Sequence, residues 1–209
     1  MKIAAIIPAY NEERTIGNII EAVRQVPLIS ETIVVSDGST DNTAIVARTC
    51  GARVVELTEN MGKGGAMAVG VNQTDADIVL FLDADLIGLQ PHHIVDLVLP
   101  VADGRAEMTV GIFEQGRLAT DLAQVIAPYL SGQRAVKRDL LNQLSHLELT
   151  RFGVEVALTR FAKSAGISVV EVELSDMTHI MKEEKFGVVR GFLARLRMYW
   201  EIAKCVRKV

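Results

Sequence analysis

The sequence predicts an α/β fold: a mixed, mainly parallel sheet with helices on both faces. Three observations carry that prediction. Short apolar runs alternate with helix-period segments through the first half, the runs are apolar enough to be buried on both faces, and polar residues gather where each run ends. With 209 residues, 49% hydrophobic and 23% charged, the chain has the make-up and length of one large globular unit.

Ile3 to Ile7 reads as the first strand, Glu12 to Val26 as a helix with Ile16, Ile19, Ile20 and Val23 on one face, and Thr32 to Ser36 as the second strand. Ser39-Thr40-Asp41-Asn42 supplies N-cap chemistry for a helix running to Cys50, which Gly51 stops. Arg53 to Leu57 is the third strand, Gly64 to Gln73 a helix of small residues, and Ile78 to Leu82 the fourth strand. Sheets of this kind bind ligands outside the carboxyl ends of their strands. Those ends carry Tyr10, Asn11 and Glu12, then Asp37, Gly38 and Ser39, then residues 60 to 64, then Asp83 and Asp85, so four loops converge on one crevice.

The second half is less regular. Pro91 opens a helix to Leu99, Glu107 to Ile112 reads as a strand, and Arg117 to Ile126 as a helix ended by Pro128. Ser131-Gly132-Gln133-Arg134 reads as a turn, Gly153 to Ala165 as a helix stopped by Gly166, and Ser168 to Leu174 as a strand. A long helix is expected from Val188 onward. Repeats, low-complexity tracts and linkers are missing, so residues 1–209 read as a single domain.

The net charge of -4 argues against nucleic acid as a partner, because a surface that tracks phosphates tips the balance basic. From Lys182 onward, eight Lys or Arg stand against three Glu, so the basic charge collects at the end of the chain. Cys50 and Cys205 belong to no metal or disulfide pattern and suit a reducing cytosol. The apolar IAAIIPA is short for a signal peptide, and the chain holds no run of the ~18 apolar residues that a membrane span needs.

Asp83 and Asp85 pose the chemical question. Two carboxylates after so apolar a strand repel each other unless a cation, or a partner carrying one, sits between them. A divalent cation with oxygen ligands would tie them to the phosphates of a nucleotide. The nucleotide is not held by a dinucleotide fingerprint, because PAYNEE follows the first strand where GxGxxG would stand. NMGKGGAM lacks the spacing and the hydroxyl of a P-loop, which leaves a glycine-rich turn with Lys63 at a helix N-terminus, a place for a diphosphate or simply a tight turn.

IIPAYNEERTIGNII, VVSDGSTDNT, NMGKGGAM and FLDADL, in that order and spacing, resemble the family 2 glycosyltransferases of GT-A fold. The resemblance implies a single GT-A domain, with residues 1–90 as the donor and metal half, 91–187 as the acceptor half, and 188–209 as a basic amphipathic helix. It implies a metal, Mg2+ or Mn2+, and a nucleoside-diphosphate sugar bordered by Pro8, Ala9, Tyr10 and Glu12. Asp37 would face the base, Gly62 and Lys63 the base or phosphates, Asp83 the ribose or the metal with Ala84 beside it, and Asp85 would be the principal metal ligand.

GRLAT, SGQRAVKRDLL, FGVEVAL and MTHIMKEE are similar in order to elements of the glucosyl-3-phosphoglycerate synthases and their mannosyl relatives. That likeness implies Arg117 and Thr120 near an acceptor phosphate, Gly132 and Arg134 in the acceptor loop, Glu155 beside the reacting hydroxyl and His179 on the metal. The guanidinium forks of Arg117 and Arg134 suit a phosphate or carboxylate, although exposed arginines at helix starts are common. Glu155 sits on an otherwise apolar helix, where a carboxylate is either paired or functional, whereas His92, His93 and His146 read as ordinary surface residues. Most of the family inverts configuration and these synthases retain it, so both stereochemical outcomes stay open.

The expectation is therefore a cytoplasmic hexosyltransferase acting on a small anionic acceptor such as a phosphoglycerate. A polyprenyl-phosphate sugar transferase is the first alternative: Phe192, Leu196, Tyr199 and Trp200 line one side of a basic helix that would pack on the domain, on a second copy in a homodimer, or on the inner membrane face. A module that binds the sugar nucleotide without catalysis is the second.

Overall fold

The computed structural model describes residues 1–113, 131–143 and 154–179. Arg117, Thr120, His146 and the helix expected from Val188 lie outside the described residues. In chain order the elements are β1 (Ile3–Ala9), α1 (Ile16–Arg24), β2 (Glu31–Asp37), α2 (Thr43–Thr49), β3 (Arg53–Leu57), α3 (Gly62–Asn72), β4 (Ile78–Phe81) and β5 (Leu86–Ile87). Then come α4 (Pro91–Ala102), β6 (Met108–Phe113), β7 (Arg134–Lys137), α5 (Arg138–Gln143), α6 (Val154–Ala165), β8 (Val169–Leu174) and β9 (Thr178–His179).

Seven strands form one sheet in the order β3-β2-β1-β4-β7-β6-β8, and β5 pairs with β9 in a separate ribbon. The first four are parallel, β7 runs antiparallel to both β4 and β6, and β8 returns parallel to β6. The chain winds outward from β1 through β2 to β3, then crosses to the other side of β1 for β4. Beyond the carboxyl ends of β1 and β4 the connections diverge, which opens the crevice of such a sheet at that point.

Side-chain alternation explains why both faces are covered. Ile3, Ala5 and Ile7 of β1 and Ile78 and Leu80 of β4 pack under Ile16, Ile19, Ile20 and Val23 of α1 and Ile94, Leu97 and Val98 of α4. Their neighbours Ile6, Val79 and Phe81 point the other way, onto Met67 and Val71 of α3 and Leu158 and Ala162 of α6. Each such fully buried aliphatic contributes about 1.5–3 kcal/mol, which outweighs the weak helix propensity of the glycines in α3. Those glycines are a packing requirement as well. A Cβ on Gly70 would collide with the Ile6 side chain and lie 3.2 Å from a Val35 methyl, so this helix rests closer to the sheet than any larger residue permits.

Four readings of the sequence are corrected. Residues 131–133, expected as a turn, are irregular rather than a turn, and Arg134 already belongs to β7, which pairs Phe81 with Arg134 and Leu80 with Ala135. Helix α3 begins at Gly62, which places Lys63 inside its first turn. Helix α4 runs through Pro100 to Ala102, because Val101 has its own place in the core. His93 is buried at 3% exposure, and its Nδ1 accepts the Gln90 backbone N–H at 3.1 Å, which ties down the start of α4; His92 is exposed as expected.

Burial holds the pKa of His93 below its ordinary value, as does the neighbouring His92, against upward pulls from the Ser175 backbone, Asp96 and Asp176. The fold therefore prefers the neutral ring, while the unfolded chain takes up a proton near pH ~6.5. Stability is fully present above that pH and is lost as the pH falls through the folded-state pKa. Thermal unfolding from pH 8 down to 5 should show a falling Tm below about 6.5, and His93→Asn, which keeps an acceptor near the Gln90 N–H, should flatten that fall. An equal slope in the variant would assign the acid sensitivity to other groups.

Candidate active site

The loops after β1 and β2 are stitched together by side chains that the turn chemistry supplies. The Asn11 backbone N–H donates to Ser39 Oγ at 3.1 Å, the Glu12 N–H to Thr43 Oγ1 at 2.8 Å, and the Thr40 N–H to Asn11 Oδ1 at 2.8 Å. Asn11 itself adopts φ 57°, a left-handed conformation that Asn tolerates better than most residues. Asp41 closes the seam, accepting the Glu13 and Thr43 N–H groups and the Thr43 hydroxyl. Burial pushes its pKa up, but those donors outweigh it and hold the carboxyl below the usual range. Next to this seam Pro8 is half-buried, Ala9 and Glu12 are buried, and Tyr10 is 43% exposed.

Asp37 ends β2 almost fully buried. Its Oδ1 accepts the Met61 N–H at 2.7 Å and its carbonyl accepts Asn60 Nδ2 at 3.2 Å, so it anchors the loop that leads into α3. Gly38 follows at φ +67°, where a Cβ would lie 2.8 Å from the Asn60 backbone nitrogen. The second oxygen of Asp37 has no hydrogen-bond partner among the described residues.

The centre of the crevice is a cluster of charges drawn from four elements. Lys63 Nζ lies 2.5 Å from Asp83 Oδ1 and 2.5 Å from Glu155 Oε1, so one ammonium bridges the loop after β4 and the first turn of α6. Burial alone would lower the Lys63 pKa; the two carboxylates more than reverse this and raise it. Glu155, expected to be paired or functional, is paired. Gly132 lies directly against the bridge, since a Cβ there would strike Lys63 Nζ and sit 2.5 and 2.7 Å from the Asp83 oxygens. Below them, Arg134 is fully buried, its Nε donating to the Ser131 carbonyl at 2.8 Å. It is not the exposed turn arginine that the sequence suggests, because β7 carries it into the sheet interior.

Asp85 lies two residues beyond Asp83 and immediately before β5, half-buried, with the buried Ala84 between them. The β5–β9 ribbon pairs Leu86 with His179 and Ile87 with Thr178. Its backbone register therefore brings His179 to the residue next to Asp85, from far along the chain. Gly88 permits this ribbon: at φ +83°, a Cβ would collide with the Asp176 carbonyl. Short ribbons of this kind have no sequence signal, so only the motif order could place His179 here.

A family model, Glycosyl transferase family 2, matches residues 4–155. The chain belongs to glycosyltransferase family 2. Glucosyl-3-phosphoglycerate synthase of Mycobacterium tuberculosis H37Rv is 32% identical over 194 residues, spanning 75% of this chain and 59% of that protein. The synthase of Petrotoga mobilis is 26% identical over an alignment that spans 97% of this chain and 75% of that protein. The 4,4'-diaponeurosporenoate glycosyltransferase of Staphylococcus aureus MRSA252 is 38% identical over 98 residues, 44% of this chain and 26% of that protein. Among solved structures, the M. tuberculosis synthase in complex with Mn2+, uridine diphosphate and glucosyl-3-phosphoglycerate superimposes with a TM-score of 0.74 at 32% identity, covering 86% of this chain and 72% of that one. The same synthase in complex with Mn2+, UDP-glucose and glycerol 3-phosphate gives 0.73 with the same identity and coverage. The family 2 chain thus has the GT-A fold expected from its motifs, a single mixed and mainly parallel sheet, and spans about 59% of the length of the mycobacterial synthase. Among its described residues no helix is long and apolar enough to cross a membrane.

Proposed function

We propose that this chain transfers glucose or a related hexose from a uridine-type nucleoside diphosphate sugar to a small phosphorylated acid such as phosphoglycerate. The observation that carries the proposal is the meeting of Asp37, Lys63, Asp83, Asp85 and Glu155 at the carboxyl ends of the parallel strands and the start of α6, in a chain similar to synthases of that activity. Pro8, Ala9, Tyr10 and Glu12 would border the nucleoside, Asp37 would meet the base, and Gly62, Lys63, Asp83 and Ala84 would line the ribose and diphosphate. Gly132, by its lack of a side chain, lets the acceptor loop close against the Lys63–Asp83 pair, and Glu155 would orient the acceptor hydroxyl. Arg117 and Thr120 are assigned to the acceptor phosphate by their motif.

Asp85 and His179 are the residues that would hold Mg2+ or Mn2+. The donor set fits, since a carboxylate suits either ion and an imidazole favours a first-row ion such as Mn2+, while Asp83 already carries the charge of Lys63. The bound ion would neutralise charge developing on the departing diphosphate. The protein's own share is positioning: two substrates held against one rigid floor of strand ends. Incubation with UDP-glucose and 3-phosphoglycerate should yield glucosylated acid and UDP only when a divalent ion is present, and a chelator should stop it. Failure with every phosphorylated acid, while UDP-glucose still binds, would overturn the acceptor assignment.

Asp37 offers a test of base recognition. Its second oxygen can accept an imide N–H, which uracil presents at N3 and cytosine does not. Asp37→Asn keeps an acceptor for the Met61 N–H but sets an NH2 group in that place. Calorimetry should show UDP binding weakened by about tenfold or more, in keeping with a hydrogen bond to a charged group, and the preference for UDP over CDP reduced. Unchanged selectivity would move the base elsewhere.

A further inference from the structure

We propose that Arg134 is a positioning residue: a buried guanidinium that sets the Glu155 carboxylate and the Ser131–Gly132 loop from below, without touching the acceptor. The inference rests on the glycosyl-transfer reading of the same site. Exposure falls steadily from mouth to floor. The side chains of Lys63, Asp83 and Glu155 are 31%, 16% and 12% exposed, and Arg134 is at 0%. A group so placed cannot present its fork to an acceptor phosphate, which is the role that its motif suggests.

Its surroundings explain what it does instead. Phe81 is its partner across β4, and Nη1 lies 4.0 Å from the Met108 sulfur, so one side of the guanidinium is apolar. Burial brings its pKa down to about 10, against upward pulls from Glu155 first and Asp83 second. Lys63 bridges Asp83 and Glu155 from above, and the buried Arg134 adds a second positive charge that both carboxylates feel. Without it, Lys63 alone would answer both acids, and Glu155 would have no charge beneath it. The bond from Nε to the Ser131 carbonyl adds a mechanical link, because the next residue is the Gly132 that lies against Lys63 and Asp83. Charge placement and the shape of the acceptor loop are thus set by one side chain.

The test compares wild type with Arg134→Met, Arg134→Lys, Glu155→Gln and the Arg134→Met/Glu155→Gln double variant, reading kcat and KM for UDP-glucose and 3-phosphoglycerate together with Tm. Arg134→Met should lower kcat on the order of 100-fold through misplacement alone, with each KM changed by less than about threefold. Arg134→Lys should recover much of kcat by restoring the charge. Arg134→Met should also lower Tm, and adding Glu155→Gln should raise it again by removing the unbalanced acid. A raised KM for the acceptor with kcat intact would put the guanidinium on the acceptor and overturn the proposal. So would a Tm loss that Glu155→Gln does not mend, which would make Arg134 a packing residue. If Arg134→Met does not fold, the lysine and double variants decide. If wild type transfers no glucose, the functional reading fails, and the coupling between Arg134 and Glu155 is still read from Tm.

Discussion

Lys63→Met is expected to cost the protein transfer on the order of 1,000-fold and about 2 kcal/mol of stability together. Methionine fills the volume of the lysine stem, so the loss is that of a charge and its hydrogen bonds. Asp83 and Glu155 would then lose the ammonium that bridges them. Breaking a fully buried pair from one side costs ~3–5 kcal/mol, and the partial exposure of Lys63, at 31%, brings the expected figure below that. Activity should suffer more than stability, because the same ammonium fixes the loop after β4 against the start of α6 and lies where a diphosphate would pass. Urea unfolding and initial rates on one preparation separate the two effects. A variant as stable as wild type, with rates within a few fold, would reduce the bridge to a surface ion pair worth about 0–1 kcal/mol.

Asp85→Asn is expected to abolish metal-dependent transfer, by on the order of 1,000-fold or more, while the Tm without ligand stays near wild type. The amide keeps the shape but gives up the charge that a hard cation requires. The expected cost falls chiefly on the liganded state, where this carboxylate would meet the ion. In wild type, UDP with Mn2+ should raise the Tm as a ligand of the native state, and in the variant that rise should shrink to what UDP gives alone. A drop in the unliganded Tm instead would make Asp85 a brace for the β5–β9 ribbon.

The parallel half of the fold and its crevice are legible in the sequence because they rest on local signals. Apolar runs bury whole strands, Gly51 and Gly166 end helices, and the motif residues fall at strand ends. What sequence misses depends on partners distant in the chain. β7 is four residues long and reads as the tail of a turn, and becomes a strand only by antiparallel pairing with β4 and β6. The β5–β9 ribbon is two residues on each side and has no periodicity at all. Arg134 reads as exposed because arginine usually is, and nothing near it in sequence reveals Glu155 and Asp83 waiting inside. His93 reads as a surface histidine because its acceptor role at the start of α4 needs Gln90 at the right backbone angle. Glu155, by contrast, was legible as a charge on an apolar helix face, although Lys63 as its partner was not.

Crystals soaked with Mn2+ and UDP, with anomalous diffraction recorded at the manganese edge, test the central claim most directly. The expected result is a single strong peak beside Asp85 and His179, with UDP bound in the same crevice. A peak bound elsewhere, or UDP seated in the crevice with no ion beside Asp85, would contradict it.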